Sequence, residues 1–438
     1  MRRISLAALI VALAATCAAG AAELGPGSGS IVGTAQPGKA IVRLDTAILF
    51  EGGFSGATNN TARVNTPAGP VTVRETNRGI AMYARLYPAL DAQTQGGFRY
   101  GGFAEIRGAD NTGAAGNGVS GTPSGVVGLA GQRNTNTLFW NRAYGYLGGD
   151  AWGMVRFGMM DGPFGLMKVG LFDTFGDGGL NRTDITGLLP QSDDNIWYFP
   201  VSTSSEYASQ KISYTSPTWA GFDFGLSFAP SSATHQGSDG SVVSIGGTAR
   251  QATSTLSSDA SRYTNLFEAL GRYRATVGGV GLAASFGYMS SNSVKVATAP
   301  REGLSIFDAG ATVGYGGFLF GGHVSSGQFN GTTSLAVPGA KTSTVWLVGV
   351  QYENGPWLAG AHYLNASIPN STSMPQPASL RAQGVSVGGN YVWAQGAQVF
   401  VEWVAIAKNQ PGVNLRQGAS YANTVYASQV VIGQQFRW

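Results

Sequence analysis

Residues 222–228 read Phe-Asp-Phe-Gly-Leu-Ser-Phe, a stretch in which large apolar residues alternate with small or charged ones. Successive side chains of an extended strand point to opposite faces, so the four apolar residues share one face and Asp223 and Ser227 share the other. An amphipathic helix would instead place its apolar residues three and four positions apart. The stretch therefore predicts a β-strand with one apolar and one polar face.

The same two-residue period returns in other segments of the chain. It is clear near residues 42–50, 98–107, 280–288, 357–363 and 399–405. A half-buried sheet in a soluble protein would show the same alternation, so the lengths of the connections have to decide the architecture.

Short and long connections alternate along the sequence. Seven short links lie near residues 91–97, 149–152, 216–221, 276–279, 316–317, 354–356 and 394–396. Eight long polar stretches lie near residues 51–78, 108–138, 162–206, 230–261, 290–303, 328–343, 366–381 and 408–422. These fifteen connections predict about sixteen strands in an all-β transmembrane antiparallel barrel, with short periplasmic turns on one rim and long extracellular loops on the other.

The composition agrees with a barrel that crosses a membrane. Charged residues make up 11% of the chain, against about 25% in an average soluble domain. Beyond the N-terminus no run of about 18 apolar residues occurs, which excludes transmembrane helices. An even number of strands brings both chain ends to one rim, where the strand near residues 39–50 can pair with the last strand. The 66 glycines are scattered among the strands, where we expect them to mark bends.

The first 22 residues predict a secretory signal peptide. Arg2 and Arg3 precede a short apolar run, and Ala19-Gly20-Ala21 fits a cleavage site. The run is shorter than the ~20 residues of a membrane-spanning helix, which argues against an anchor. We expect removal of residues 1–22 and export of residues 23–438, the barrel domain, to the outer membrane. Cys17 leaves with the signal, so the mature chain has no thiol.

Two stretches resemble the general porins of Gram-negative bacteria. Residues 141–148 (Asn-Arg-Ala-Tyr-Gly-Tyr-Leu-Gly) and 153–158 (Gly-Met-Val-Arg-Phe-Gly) are similar to the strands that precede the family's third loop. Residues 214–217 (Tyr-Thr-Ser-Pro) and 221–225 (Gly-Phe-Asp-Phe-Gly) are similar to the strands that follow it. The terminal aromatic residue also matches, although the family usually ends in Phe and this chain ends in Trp438. Met159 and Met160 replace the family's usual Arg-Gln, which removes one expected arginine from the pore wall.

This resemblance implies a trimeric, 16-stranded outer-membrane porin whose third loop, at about 162–206, folds into the lumen and narrows it. It implies passive diffusion of ions and small hydrophilic solutes through a water-filled pore. Outer-membrane lipid and two further copies of the chain would be its partners, and it would need no cofactor.

Charged residues on the predicted lumenal faces are candidates for the constriction. The wall would carry six arginines from the first five strands: Arg43, Arg85, Arg99, Arg107, Arg142 and Arg156. Facing lipid at mid-bilayer, each would cost about 2–4 kcal/mol, so we expect them to face water or partners. The third loop would carry the opposing carboxylates: Asp173, Asp177, Asp184, Asp193 and Asp194. Opposed charges between low-dielectric walls create a transverse field that orients dipolar solutes.

Other classes of function receive weaker support. A channel selective for sugars or organic acids, or a structural or adhesive barrel with a plugged lumen, would share the same strand pattern. His323 and Ser325 lie on one face of a strand, as a hydrolase would require, but no third residue of a catalytic triad stands out. His323 and His362 lack the carboxylates of a metal site. The full chain has 27 basic and 23 acidic residues. Without Arg2 and Arg3 its net charge is about +2, which gives no support for nucleic-acid binding.

Overall fold

The computed structural model describes most of the chain beyond the predicted signal peptide. The described residues are 36–43, 48–58, 60–75, 78–108, 138–180, 209–231, 253–254, 260, 262–330, 335–368, 379–411 and 422–437. The predicted signal peptide, Trp438 and the three loop aspartates Asp184, Asp193 and Asp194 lie outside them. Within these ranges, no helix is both long and apolar enough to cross a bilayer.

The described residues form strands and one short helix, α1 (Pro163–Leu166). The strands of the first half are β1 (Lys39–Arg43), β2 (Ile48–Ala57), β3 (Asn60–Thr66), β4 (Gly69–Glu75), β5 (Arg78–Leu86), β6 (Ala89–Gln93), β7 (Arg99–Gly108), β8 (Leu138–Gly149), β9 (Gly153–Met160), β10 (Ser209–Thr215) and β11 (Phe222–Ser231). Those of the second half are β12 (Thr253–Ser254), β13 (Tyr263–Val277), β14 (Val280–Ser293), β15 (Lys295–Val296), β16 (Ser305–Tyr315), β17 (Phe318–Gln328), β18 (Ser343–Asn354), β19 (Trp357–Ile368), β20 (Leu380–Ala394), β21 (Ala397–Asn409) and β22 (Ala422–Arg437).

These strands close into one antiparallel barrel, which confirms the predicted fold. β1 and β2 together make the first barrel strand, and β5 and β6 make the second, because β1 pairs with β6 and β2 pairs with β5. The described strands make sixteen barrel strands, since β3 and β4 extend the first two strands beyond β2 and β5, with β3 paired to β22, and the short β12–β15 ladder is a separate sheet. The predicted pairing of the first strand with the last closes the sheet, with Phe50 opposite Phe436 and Phe54 opposite Ile432.

The predicted two-faced strands are also confirmed. Phe222 and Phe228 are 45% and 42% exposed on the outer, lipid-facing side of β11, whereas Asp223 and Ser227 are buried on its inner side. The same division holds on β21, where Val401 is exposed and Glu402 is buried. Because each strand alternates in this way, the inner face of the barrel can be read position by position.

The short turns lie where the sequence places them. Gly278 and Gly279 join β13 to β14 with φ of 59° and 82°, and Gly316 and Gly317 join β16 to β17 with φ of 59° and 86°. A two-residue hairpin loop whose twist matches its strands needs positive φ at both central positions, which glycine adopts without a steric penalty. These Gly-Gly pairs therefore fix the register of the two hairpins.

The chain that follows β9 turns into the barrel. α1 and residues 167–180 contact inward-facing residues of the strands from β11 to β21. Phe164, Phe172, Phe175 and Leu180 from this segment belong to the same buried apolar cluster as Leu347 and Leu364 from the barrel wall, among others. We call residues 161–180 the docked segment.

Candidate pore constriction

Backbone N–H groups of the docked segment donate hydrogen bonds to the inner wall over its whole length. The Phe164 amide donates to Glu268 Oε2 of β13 at 3.1 Å, and the Val169 amide donates to Ser285 Oγ of β14 at 3.1 Å. Further along, three wall side chains accept from the segment: Asn390 Oδ1 from Gly176 at 2.7 Å, Glu402 Oε2 from Asp177 at 2.6 Å, and His362 Nε2 from Leu180 at 3.0 Å. A buried loop has to find partners for its backbone, and here the wall supplies them.

A buried charge cluster anchors the middle of the docked segment. Lys168 Nζ lies 3.0 Å from Asp308 Oδ2 of β16, and Ser325 Oγ of β17 donates to the same oxygen at 2.5 Å. His323 Nε2 lies 2.9 Å from Asp308 Oδ1, and its Nδ1 lies 2.8 Å from the Val169 carbonyl oxygen. Burial lowers the pKa of the Lys168 ammonium, and the Asp308 carboxylate opposes that shift.

This cluster gives a structural role to His323 and Ser325, the two residues with the spacing that a hydrolase would require. Asp308 is the third residue that sequence reasoning missed, although the alternation along β16 places it on the inner face. The Ser325 hydroxyl donates to Asp308, and the His323 ring is held between Asp308 and the loop carbonyl. Ser325 is fully buried beneath the docked segment, so the three residues hold the loop in place.

His362 of β19 contacts the docked segment through both of its ring nitrogens. Its Nδ1 lies 3.0 Å from the Phe172 carbonyl oxygen, and its Nε2 accepts from the Leu180 amide. One ring nitrogen must donate and the other must accept, which is the pattern of a neutral imidazole. Phe172 has a φ of 50°, a left-handed conformation that non-glycine residues seldom adopt. The contact with His362 helps to hold it there.

The predicted wall arginines lie on the opposite part of the barrel, on β1 and from β5 to β9. Arg85 and Arg107 are direct cross-strand neighbours, and Arg99 lies opposite Gly148 near the periplasmic turn. Arg156 lies between Tyr146 and Ser213 on the adjoining strands. Alternation puts all four on the inner face. Arg43 ends β1 opposite Ala89, and its side chain is outside the described part.

Arg142 has a different environment. It is buried, binds Glu105 through Nη1, and places its Nε 2.9 Å from Asp161 Oδ2 at the root of the docked segment. Arg107 Nε lies 2.5 Å from the other oxygen of Glu105. Sequence reasoning missed Glu105 and Asp161 as partners, and only the alternation of β7 gave a signal for Glu105. Arg142 thus clamps the loop root to the wall.

Two of the predicted loop carboxylates fall within the described residues. Asp173 is partly exposed, and Asp177 is buried where its own amide binds Glu402. Asp184, Asp193 and Asp194 lie outside the described ranges, so the structure places two of the five. Within those ranges no three His, Cys, Asp or Glu side chains are grouped so that they could hold a metal ion.

Comparison with known families agrees with this architecture. The model of one family, described as Gram-negative porin, matches residues 7–409. The chain belongs to the Gram-negative porin family. Gram-negative porins are non-enzymatic channels of the outer membrane, and the chain is accordingly an outer-membrane barrel that serves passive diffusion.

Solved porin structures share the fold at low sequence identity. The anion-selective porin from Comamonas acidovorans is 15% identical, with a TM-score of 0.53 over 91% of this chain and 100% of its own. The outer membrane channel DcaP of Acinetobacter baumannii is 14% identical, with a TM-score of 0.54 over 93% and 100%. OmpF of Salmonella typhi is 13% identical, with a TM-score of 0.50 over 91% and 100%. No curated protein sequence matches the chain.

Proposed function

We propose that ions and small hydrophilic solutes cross this porin through a gap between the docked segment and the arginine-bearing wall. The observation that carries the proposal is the continuous attachment of residues 164–180 to β13–β21, from Phe164 on Glu268 to Asp177 on Glu402. This attachment puts the loop on one side of the lumen. The arginines stand on β5–β9, on the other side.

Charge on the two sides of this gap would produce a field across the path of the solute. Arg85 and Arg107 are like charges on neighbouring strands, and Arg99 and Arg156 add to the same face. The acidic loop stretch, with Asp173 and Asp177 and with Asp184, Asp193 and Asp194 further along, would face them. Field lines concentrate in a narrow aqueous path between low-dielectric walls, so even screened charges bias passing ions. Arg107 and Arg142 contribute less than Arg99 and Arg156, because they share Glu105 and Arg142 also binds Asp161.

Reversal potentials in asymmetric salt test this assignment. Arg99→Gln removes a wall charge and should shift the preference of the channel towards cations. Asp177→Asn removes a loop charge and should shift it towards anions. Arg63→Gln is the matched control, because Arg63 is exposed on the β3 strand of the extracellular hairpin. Screening shortens from about 10 Å at 0.1 M salt to about 3 Å at 1 M, so both shifts should shrink as salt rises.

Two other outcomes would change the function assigned. If neither variant moves the reversal potential, the constriction assignment is wrong although the barrel stands. If the conductance saturates with one class of sugar or organic acid, the pore is a substrate-selective channel with a binding site. Passage under our proposal involves no covalent step and should show a conductance proportional to salt.

The working form of the protein would be a trimer of processed chains. The outward positions Ala143, Gly145 and Leu147 of β8 are low in bulk and compatible with flat packing against a second copy. Native mass spectrometry of protein extracted from outer membranes should give a threefold multiple of the mass of residues 23–438. A protomer mass that includes residues 1–22 would contradict the signal cleavage, and a single-chain mass would contradict the trimer.

A further inference from the structure

The docked segment rests on a row of inner-wall glycines. Its buried apolar side chains each cover one glycine of a different strand: Phe164 over Gly287, Met167 over Gly225, Phe172 over Gly349, Phe175 over Gly360 and Leu180 over Gly384. A Cβ atom added at Gly349 would lie 2.7 Å from the Phe172 ring, and one at Gly225 would lie 2.7 Å from Met167 Sδ. A Cβ at Gly360 would overlap the Phe175 ring outright.

These contacts fix how far the loop stands from the wall. Glycine alone lets a ring lie directly on the sheet backbone, and interiors packed at crystal-like density leave no slack to absorb another methyl group. Phe172 and Phe175 face the wall, whereas Asp173 and Thr174 between them are partly exposed. Any displacement of the two rings would therefore move residues 173–174 across the lumen.

Hydrogen bonds at Phe172 and between the two rings keep this segment from sliding along the wall. Gln351 Nε2 donates to Thr174 Oγ1 at 2.6 Å, and His362 Nδ1 lies 3.0 Å from the Phe172 carbonyl oxygen. The segment can then respond to a larger wall residue mainly by moving away from the wall.

We infer that the ring-on-glycine pairs Phe172–Gly349 and Phe175–Gly360 set the size limit of the channel for uncharged solutes. This inference rests on the proposed constriction, but it concerns steric width and not charge. A methyl group at Gly360 lifts the loop and narrows the gap. Truncation of Phe175 lets the loop settle closer to the wall and widens it. The two changes together compensate each other.

Liposome swelling with neutral sugars of increasing size measures the effect. Gly360→Ala should slow the disaccharide severalfold more than the monosaccharide, and Phe175→Ala should speed the disaccharide relative to wild type. The double variant Gly360→Ala with Phe175→Ala should return the ratio close to the wild-type value. Gly281→Ala is the matched control, because it adds a methyl group on the inner face of β14 where the nearest atom would be 3.9 Å away.

Each result bears on the inference. An unchanged ratio of disaccharide to monosaccharide permeation in both single variants would overturn the inference. A double variant that is impaired more than either single variant would also overturn it, because it would indicate general damage to the barrel. Heat-modified mobility on gels checks that the variants are folded. If Gly360→Ala does not fold, Gly349→Ala with and without Phe172→Leu repeats the test. The reversal potentials of Arg99→Gln and Asp177→Asn are measured with the wild-type glycines in place, so a failure of the ring-on-glycine pairs is distinguishable from a failure of the field assigned to those two charges.

Discussion

The two halves of the inner wall use charge in opposite ways. Along β13–β21 three inward carboxylates bind the loop: Glu268 and Glu402 accept from loop amides, and Asp308 pairs with Lys168. Along β5–β9 the arginines Arg85 and Arg107 stand beside each other on neighbouring strands. The same alternation of apolar and polar residues thus builds a docking surface on one side and a charged wall on the other.

An inward charge in a barrel is therefore not by itself a pore charge. A buried ion pair has lost its water, so it stabilises the structure only when its geometry and hydrogen bonds compensate. Asp308 meets that requirement with Lys168, His323 and Ser325. Arg142 meets it with Glu105 and Asp161 at the loop root, although it belongs to the wall by position.

The largest effect is expected for Asp308→Asn, which disrupts the attachment of the docked segment to the wall. The change leaves the buried Lys168 ammonium and His323 ring without their shared carboxylate. Removal of one partner from a buried pair typically costs about 3–5 kcal/mol. The loop should leave the wall, seen as fluctuating open-channel current and a lower unfolding temperature. Glu353→Gln, an exposed carboxylate at the end of β18, is the control. A quiet, stable Asp308→Asn channel would contradict the anchoring role.

A smaller effect is expected for Arg142→Met, which separates the attachment of the loop root by Arg142 from any contribution of its charge to the field across the pore. Glu105 keeps Arg107, so only Asp161 loses its strand partner, and the cost should lie towards the lower end of the range of about 3–5 kcal/mol typical of a broken buried pair. Thermal unfolding should shift downward and current noise should rise. The reversal potential should move less than it does in Arg99→Gln. A larger shift of the reversal potential in Arg142→Met would place the Arg142 charge in the ion path and contradict its role as a clamp.

The smallest effect is expected for Gln351→Ala, which removes one hydrogen bond to the loop at Thr174. A single such bond is worth about 0.5–1.5 kcal/mol. The unfolding temperature should fall slightly, and current noise should increase without a change in mean conductance. Gln398→Ala is matched chemically, because Gln398 donates to Gln435 on the β21–β22 side away from the loop. Equal noise in both variants would show that Gln351 does not steady the loop.

Much of the fold could be predicted because strand periodicity is local. Phe222 and Asp223 point to opposite faces whatever surrounds them, and the Gly278-Gly279 pair favours a tight hairpin wherever it occurs. The strand count and the first-to-last pairing followed from the connections. The candidate site was predicted less completely, since the sequence placed Arg107 on the inner face but did not reveal its partner Glu105.

The roles of the inner-wall glycines were also predicted only in part. As scattered residues they predicted bends in strands, and some do form the turns. Gly349 and Gly360 instead leave room for rings from a segment nearly two hundred residues earlier in the chain, Phe172 and Phe175. Nothing local to a glycine indicates that a distant side chain will cover it.

The two-residue period and the lengths of the links were enough to predict the barrel, its sixteen strands and its two faces. The sequence did not indicate which half of the wall receives the docked segment, nor which inward charges anchor it. Pairing between charges, and between rings and glycines, depends on which strands come to face the loop once the sheet is closed.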